Sequence, residues 1–266
     1  MTNIWYILQI AQYRNRPITL HDPDKVWVDI HLPGWTVSCI HNVLSINDAG
    51  FVAWCKDKSL QYCLFWAYMP KMHTYIDPTY IEKKKHIHTN QVFTSVEHII
   101  NDIETQYTFP CIIKRWKWTL WRNVFLCQKR SDVENAISTI LADTKLYDYL
   151  ILAQEYIHFE IEYRLIIVHN RLELVYKKQY FWDKSIKHNR TIIEPSDDIF
   201  IQLQEFIKSL TNHLTFTWAG LDVVVDNNGK FYLIECNANP QFHSFVKHNS
   251  IEPLYNLYYK AFQAYI

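Results

Sequence analysis

Glycine occurs only four times in these 266 residues, and its scarcity limits what the chain can build. A P-loop needs two glycines around a lysine, and a dinucleotide-binding turn needs three in a tight cluster. Gly34, Gly50, Gly220 and Gly229 stand far apart, so both phosphate-binding designs are excluded. Any nucleotide site must use side chains and strands instead of glycine amides.

The remaining composition is that of a globular chain. It is 49 % hydrophobic, 16 % aromatic and 20 % charged, with 27 Lys and Arg against 27 Asp and Glu. Neutral net charge supplies no global field for nucleic acid or an anionic membrane. The six cysteines form no C-x-x-C pair, and most lie in apolar runs, where a free thiol packs as a small hydrophobe. This reads as a reduced, cytoplasmic chain. The longest uncharged stretch, Ile30 to Asn47, is broken by Pro33 and Gly34, so no membrane span is expected. The apolar run Ile4–Ile10 lacks the basic start and cleavage site of a signal peptide and reads as a first strand.

Further strands are expected at Val26–Ile30, Thr36–Ile40, Phe51–Cys55 and Tyr62–Tyr68. The basic run Lys83-Lys84-Lys85 marks a soft boundary. Thr94 to Glu97 has capping-box spacing and opens a helix over Val96–Glu104. Strands follow at Phe109–Lys114 and Val124–Gln128, and a helix runs from a second capping box at Ser131 to about Lys145. Leu150–Ile157, Glu162–Val168 and Leu172–Phe181 read as strands. Ser196 caps a helix with apolar residues at helical period. A hairpin, Thr217–Asp226 and Lys230–Asn237, turns at Asp226-Asn227-Asn228-Gly229, and a last helix runs over Ile251–Ile266. The fold class is α+β, with an α/β N-terminal region.

The chemistry concentrates in this hairpin. With an even-length turn, Asp222 lies opposite Leu233 and diagonal to Glu235. Asp222, Glu235 and the Asn237 amide oxygen then converge from adjacent strands. Burying an unpaired carboxylate costs several kcal/mol, on the order expected for charge burial, and a hard divalent cation with oxygen ligands offsets that. The competing reading is a hairpin with two carboxylates facing solvent.

Asp222, then Glu235-x-Asn237 with Pro240 nearby, resembles the metal-binding signature of the ATP-grasp superfamily. Other fragments follow the family's order. Phe109-Pro110-Cys111-Ile112-Ile113-Lys114 resembles the strand whose lysine meets the nucleotide phosphates. Gln154-Glu155-Tyr156-Ile157 is similar to the adenine hinge, and Glu162-Tyr163-Arg164 to the ribose-binding acid and following arginine. Tyr176-Lys177-Lys178-Gln179 and Lys187-His188-Asn189 are similar to elements of ribosomal-protein glutamate ligases, and Lys71 is a further candidate phosphate lysine. The matches span residues 109 to 240.

The resemblance implies an ATP-grasp fold in which the nucleotide lies between two α+β subdomains. The implied division is 1–88 as a substrate-side domain, 89–150 as the central subdomain and 151–266 as the C-terminal subdomain with the metal site. It implies an ADP-forming carboxylate–amine ligase working through an acyl phosphate. ATP would be held by Lys114, Gln154, Glu155, Tyr156, Ile157, Glu162 and Lys178. Mg²⁺, with Mn²⁺ as an alternative, would be held by Asp222, Glu235 and Asn237. Arg164, Lys178 and Asn189 are the candidates for stabilising the transferring phosphoryl group and acyl phosphate. An ion pair of Arg164 with Glu162 or Glu160 is the bland alternative. The partners implied are a carboxylate substrate and an amine acceptor on an amino acid, peptide or protein. The sequence does not define an oligomeric state.

One departure is the loop after Lys114, Arg115 to Asn123, which is rich in Trp and Arg where the family has a small, glycine-rich loop. Interleaved Trp and basic residues also suit a single-stranded nucleic-acid platform, a reading that the neutral charge opposes. A binding scaffold without catalysis is the third reading, and it gives no reason to keep the carboxylate pair. His86 and His88 read as surface histidines.

Overall fold

The computed structural model describes residues 7–9, 11–12, 15–22, 27–41, 43–83, 93–116, 123–143, 149–179 and 190–263. Asn189, Lys187, His188, His86, His88 and loop residues 117–122 lie outside the described residues. Two compact units are present, one formed by Met1–Cys55 with Phe159–Ile266 and the other by Lys56–His158. This is a different cut from 88/89 and 150/151, because the first 55 residues pack with the C-terminal part of the chain.

The larger unit holds two antiparallel sheets. Its N-terminal sheet has strands β1 (Ile18–Leu20), β2 (Trp27–Leu32), β3 (Trp35–Ile40) and β4 (Val43–Leu44) in sequential order. The second sheet runs β11-β10-β9-β12-β13, from β9 (Ile161–Val168), β10 (Arg171–Gln179), β11 (Ile192–Ile193), β12 (Trp218–Val225) and β13 (Phe231–Asn237). Residues Val28, Ile30, Val37 and Cys39 of the first sheet share a core with Ile166, Val168, Leu174 and Trp218 of the second. Helix α8 (Glu252–Gln263) adds Leu254, Leu257, Tyr258 and Phe262 to it. Buried on both faces, β9 and β12 show near-continuous apolar runs rather than alternation. Helix α6 (Asp198–Thr211) contacts β10, and its buried Phe200, Leu203, Ile207 and Leu210 keep helical period.

In the smaller unit the sheet order is β5-β8-β6-β7, from β5 (Met72–Ile76), β6 (Cys111–Arg115), β7 (Val124–Cys127) and β8 (Leu150–Glu155). Helices α4 (Val96–Gln106) and α5 (Arg130–Ala142) share its apolar core through Ile99, Ile103, Val133, Ile137 and Ile140. Ser95 caps α4 by accepting from the His98 amide at 3.2 Å.

Several expectations need correction. Residues 7–9, expected within a strand over Ile4–Ile10, are helical, as are residues 11–12 beyond it. Phe51–Cys55 and Tyr62–Tyr68, also expected as strands, lie largely in α1 (Ala49–Cys55) and α2 (Lys58–Phe65). Asp48 accepts from the Phe51 amide at 2.8 Å, and Asp57 accepts from Ser59 and Leu60 at 2.9 and 3.1 Å. These carboxylates satisfy the open amides of a first helical turn, which outweighs the β preference of the aromatic residues. Helix α5 starts at Arg130 without a side-chain cap from Ser131, and α6 follows Asp197 rather than Ser196. The short helices α3 (Pro78–Lys83) and α7 (His243–Val246) complete the order among the described residues.

Candidate functional site

The hairpin β12–β13 sets the site's geometry through two local irregularities. Its turn is closed by Asp226, whose amide donates to the Lys230 carbonyl at 3.0 Å, and Gly229 takes φ +80°. Three residues therefore lie in the loop, one more than an even-length turn allows. Farther along, a bulge falls where the register passes from Val223↔Leu233 to Asp222↔Glu235. The extra residue, Ile234, breaks the alternation of β13, so Leu233 and Cys236 are both buried although three residues apart. Asp222 thus lies directly opposite Glu235, not Leu233, and Gly220 lies opposite Asn237.

Strand β9 brings the other charged residues alongside. Arg164 pairs in register with Asp222 on one side and Tyr176 on the other, while Glu162 pairs with Val224 and Lys178. The period of two puts Glu162 and Arg164 on one face. Lys178 Nζ donates to Glu162 Oε1 at 2.5 Å and also to Asp222 Oδ1. Arg164 Nε forms an ion pair with Asp222 Oδ1 at 3.0 Å. Arg164 therefore has Asp222 as an ion-pair partner.

These groups are almost dry: Glu162 is 2 %, Lys178 4 % and Asp222 6 % exposed. Burial pushes the Glu162 carboxyl up to about 7, only partly opposed by Lys178. Burial acts on Asp222 in the same direction, but Arg164 and Lys178 overcome it and hold that carboxyl below its ordinary range. One carboxyl thus leans toward the protonated state and its neighbour is held ionised. Burial likewise raises the Tyr176 phenol, to about 12.

The backbone leaves no slack at this corner. A Cβ on Gly220 would come within 2.6 Å of Pro240 Cβ and 3.1 Å of an Arg164 guanidinium nitrogen. Glycine is used here for close approach, not for conformational freedom. Asn47, which no sequence pattern singles out, also reaches the hairpin, through partners 171 and 191 residues away.

In the smaller unit, β6 and β8 are antiparallel neighbours with Ile112 opposite Gln154. Lys114 and Gln154 are both buried, and the lysine Nζ donates to the amide Oε1. Glu155 is exposed; its amide donates to the Lys71 carbonyl at 2.9 Å. Tyr156 is half-buried, and Ile157 is buried. Lys71 Nζ donates to the Gln106 carbonyl and side-chain oxygens at 3.1 and 3.3 Å.

Of the sequence-derived residues, the larger unit gathers Glu162, Arg164, Lys178, Asp222 and Glu235 on four adjacent strands. The smaller unit gathers Lys114 and Gln154. Asp222, Glu235 and Asn237 form a hard-oxygen donor set, and the glycine opposite Asn237 adds no side chain. That set fits a divalent cation in its chemistry, with Asp222 shared between the ion and two basic residues. Among the described residues no three of His, Cys, Asp and Glu gather as a metal cluster, and the candidate set has two carboxylates with one amide. No helix among the described residues is long and apolar enough to cross a membrane.

Residues 80–257 match the model of the RimK-like ATP-grasp domain. No curated protein matches the chain. Among solved structures, the D-alanine–D-alanine ligase from Coxiella burnetii is similar with a TM-score of 0.55 at 14 % identity, covering 79 % of this chain and 56 % of that one. The corresponding ligase from Bacillus anthracis gives 0.52 at 13 % identity, covering 79 % and 68 %. The ATP-grasp ligase PsnB, solved with precursor peptide PsnA2 and AMPPNP, gives 0.48 at 15 %, covering 79 % and 60 %. The chain therefore spans less than two thirds of two of these three neighbours. At such identities the likeness is one of fold. With two thirds of its length matched by the family model, the chain belongs to the RimK-like ATP-grasp family and has the ATP-grasp fold.

Proposed function

We propose that this chain is an ATP-dependent, ADP-forming ligase that joins a carboxylate to an amine. The observation that carries the reading is the dry cluster of Lys178, Glu162, Asp222 and Arg164 beside Glu235 in a chain of this family. Charges kept out of water are costly unless they are paired, and a scaffold gains nothing from a cluster of four such groups on one sheet face. The acceptor we favour is an amino acid, peptide or protein tail, in keeping with the family's name-giving branch.

In this reading the Lys114 ammonium, oriented by Gln154, binds the nucleotide phosphates, and Glu155 to Ile157 meet the adenine. Glu162 accepts from the ribose hydroxyls. Asp222, Glu235 and Asn237 hold Mg²⁺, which when bound neutralises phosphate charge. A substrate carboxylate oxygen attacks the γ-phosphorus, the bond to the β-phosphate oxygen breaks, and ADP leaves. Arg164 and Lys178 stabilise the charge on the transferred group and on the acyl phosphate, and Asn189 supports the acceptor side. An amine nitrogen then attacks the acyl carbon, the carbon–oxygen bond to phosphate breaks, and the amine gives up a proton as inorganic phosphate departs. The protein contributes position and electrostatics and needs no covalent nucleophile.

Hydroxylamine provides a test that needs no knowledge of the natural acceptor, because it captures acyl phosphates as hydroxamates. Screening amino acids and carboxylated peptides with ATP, Mg²⁺ and hydroxylamine should give hydroxamate and ADP in equal amounts for the true carboxylate. ADP release with no hydroxamate for any carboxylate tested would contradict an acyl-phosphate route.

A further inference from the structure

Helix α1 and the bend before it are held to the candidate metal hairpin and its entry by Asn47, Phe51 and Cys55. Phe51 and Cys55, four residues apart in the helix, lie one turn apart on one face, and Asn47 stands in the bend just before the helix. The Phe51 ring meets Phe216 edge-on at 6.1 Å between centroids. Cys55 Sγ lies 3.7 Å from Cys236 Sγ, and Cys236 stands between Glu235 and Asn237. Asn47 makes the polar contact. Its Nδ2 donates to the Trp218 carbonyl at 2.9 Å and the Ala238 carbonyl at 3.0 Å, while its Oδ1 accepts from the Trp218 amide at 3.1 Å.

The position of these bonds gives them their meaning. The β12–β13 ladder ends at Gly220↔Asn237. Beyond it, the side-chain amide of Asn47 serves the Trp218 amide and carbonyl as a strand's peptide group would. The same nitrogen then holds Ala238, the residue directly after Asn237. A primary amide has both the donors and the acceptor this requires. A carboxylate of the same shape has acceptors only and would face two carbonyl oxygens. Asn47 is 8 % exposed, so the loss is not made good by water.

Resting on the metal reading above, we infer that Asn47 is a positioning residue for the metal-binding pair Glu235 and Asn237, acting through Ala238. Groups that orient metal ligands without touching the ion typically change metal affinity by roughly 10-fold or more when removed. Asn47 acts on the ligand strand in that way, so its loss should weaken the metal more than the nucleotide.

The test uses the whole chain and calorimetric titration with AMPPNP at a series of Mg²⁺ concentrations. Asn47→Asp and Asn47→Ala should raise the Mg²⁺ concentration for half-maximal AMPPNP binding roughly 10-fold. Affinity at saturating Mg²⁺ should stay close to wild type. Ile207→Val, a core change on α6, should lower the Tm without moving that midpoint. A second measurement needs no variant at Asn47: amide exchange at Trp218, read by NMR in the wild-type chain, should slow when Mg²⁺ and AMPPNP are added together. Unchanged exchange at Trp218, a wild-type Mg²⁺ midpoint in the Asn47 variants, or an equal shift in Ile207→Val overturns the proposal. Wild type that binds AMPPNP without regard to Mg²⁺ instead overturns the metal reading beneath it. The ligase reading fails separately, if no AMPPNP binds at all.

Discussion

Two ion networks in this protein use the same kinds of group in opposite surroundings. On the smaller unit, Arg130 reaches Glu97 at 2.5 Å, Glu134 at 3.0 Å and also Glu104, joining α4 to α5 where about a third of the arginine side chain is exposed. On the larger unit, Lys178 lies between Glu162 and Asp222, and Arg164 against Asp222, with every side chain at 13 % exposure or less. Water and salt screen the first network, so the loss of a partner is absorbed by solvent. In the second, a removed partner leaves a charge with no solvent to take its place. The first fastens two helices together, whereas the second keeps charge concentrated and oriented in a dry place.

The largest break in that contrast should come from Lys178→Met, which keeps the length of the side chain and deletes its charge. Glu162 and Asp222 would then share a buried site without the ammonium between them. The expected loss is about 3–5 kcal/mol of stability, the usual range for removing one member of a buried pair. Chemical denaturation in urea measures it, and an effect close to zero would mean the cluster is wetter than its geometry indicates.

Glu162→Gln should act more gently and with a characteristic pH dependence. Because the folded Glu162 carboxyl is raised from its ordinary value near 4.5 to about 7, the native state holds a proton that the unfolded chain releases in that interval. Its contribution to stability is complete below the ordinary value and is lost as pH rises through about 7. Asp222 contributes in the opposite sense, since its carboxyl is held low and its contribution is lost only as the pH falls into the acid range. Metal-free wild type should therefore lose stability between those two Glu162 values, and Glu162→Gln should flatten that part of the curve. Thermal melts at a series of pH values compare them, and parallel curves would remove Glu162 as the titrating group.

Smallest of all should be Arg130→Met. Its effect on Tm should be well below that of Lys178→Met and should shrink further as salt is added. A salt-independent loss as large as that of Lys178→Met would erase the distinction between the two networks.

The charged residues of the larger network were legible in the sequence because each sits in a short motif, and the motifs keep the family's order. Their arrangement was less so. A hairpin's register depends on its loop count, and the bulge at Ile234 has no sequence mark beyond a broken apolar alternation at Leu233 and Cys236. The N-terminal helices were missed for a different reason. Aromatic and β-branched residues in α1 and α2 suggest strands, while the contrary signals were the caps Asp48 and Asp57 and the spacing of Phe51 from Cys55. Asn47 could not have been found at all, since a side-chain hydrogen bond across 171 residues leaves no periodicity to read.

The central claim is that nucleotide and metal meet at the β12–β13 hairpin. Its most direct test is calorimetry of AMPPNP binding, with and without Mg²⁺, to wild type and to Glu235→Ala. Wild type should bind the analogue more tightly with Mg²⁺, and Glu235→Ala should lose most of that gain while keeping the metal-free affinity. Equal Mg²⁺ dependence in the two proteins would place the metal elsewhere, and no binding by wild type would contradict the ligase account as a whole.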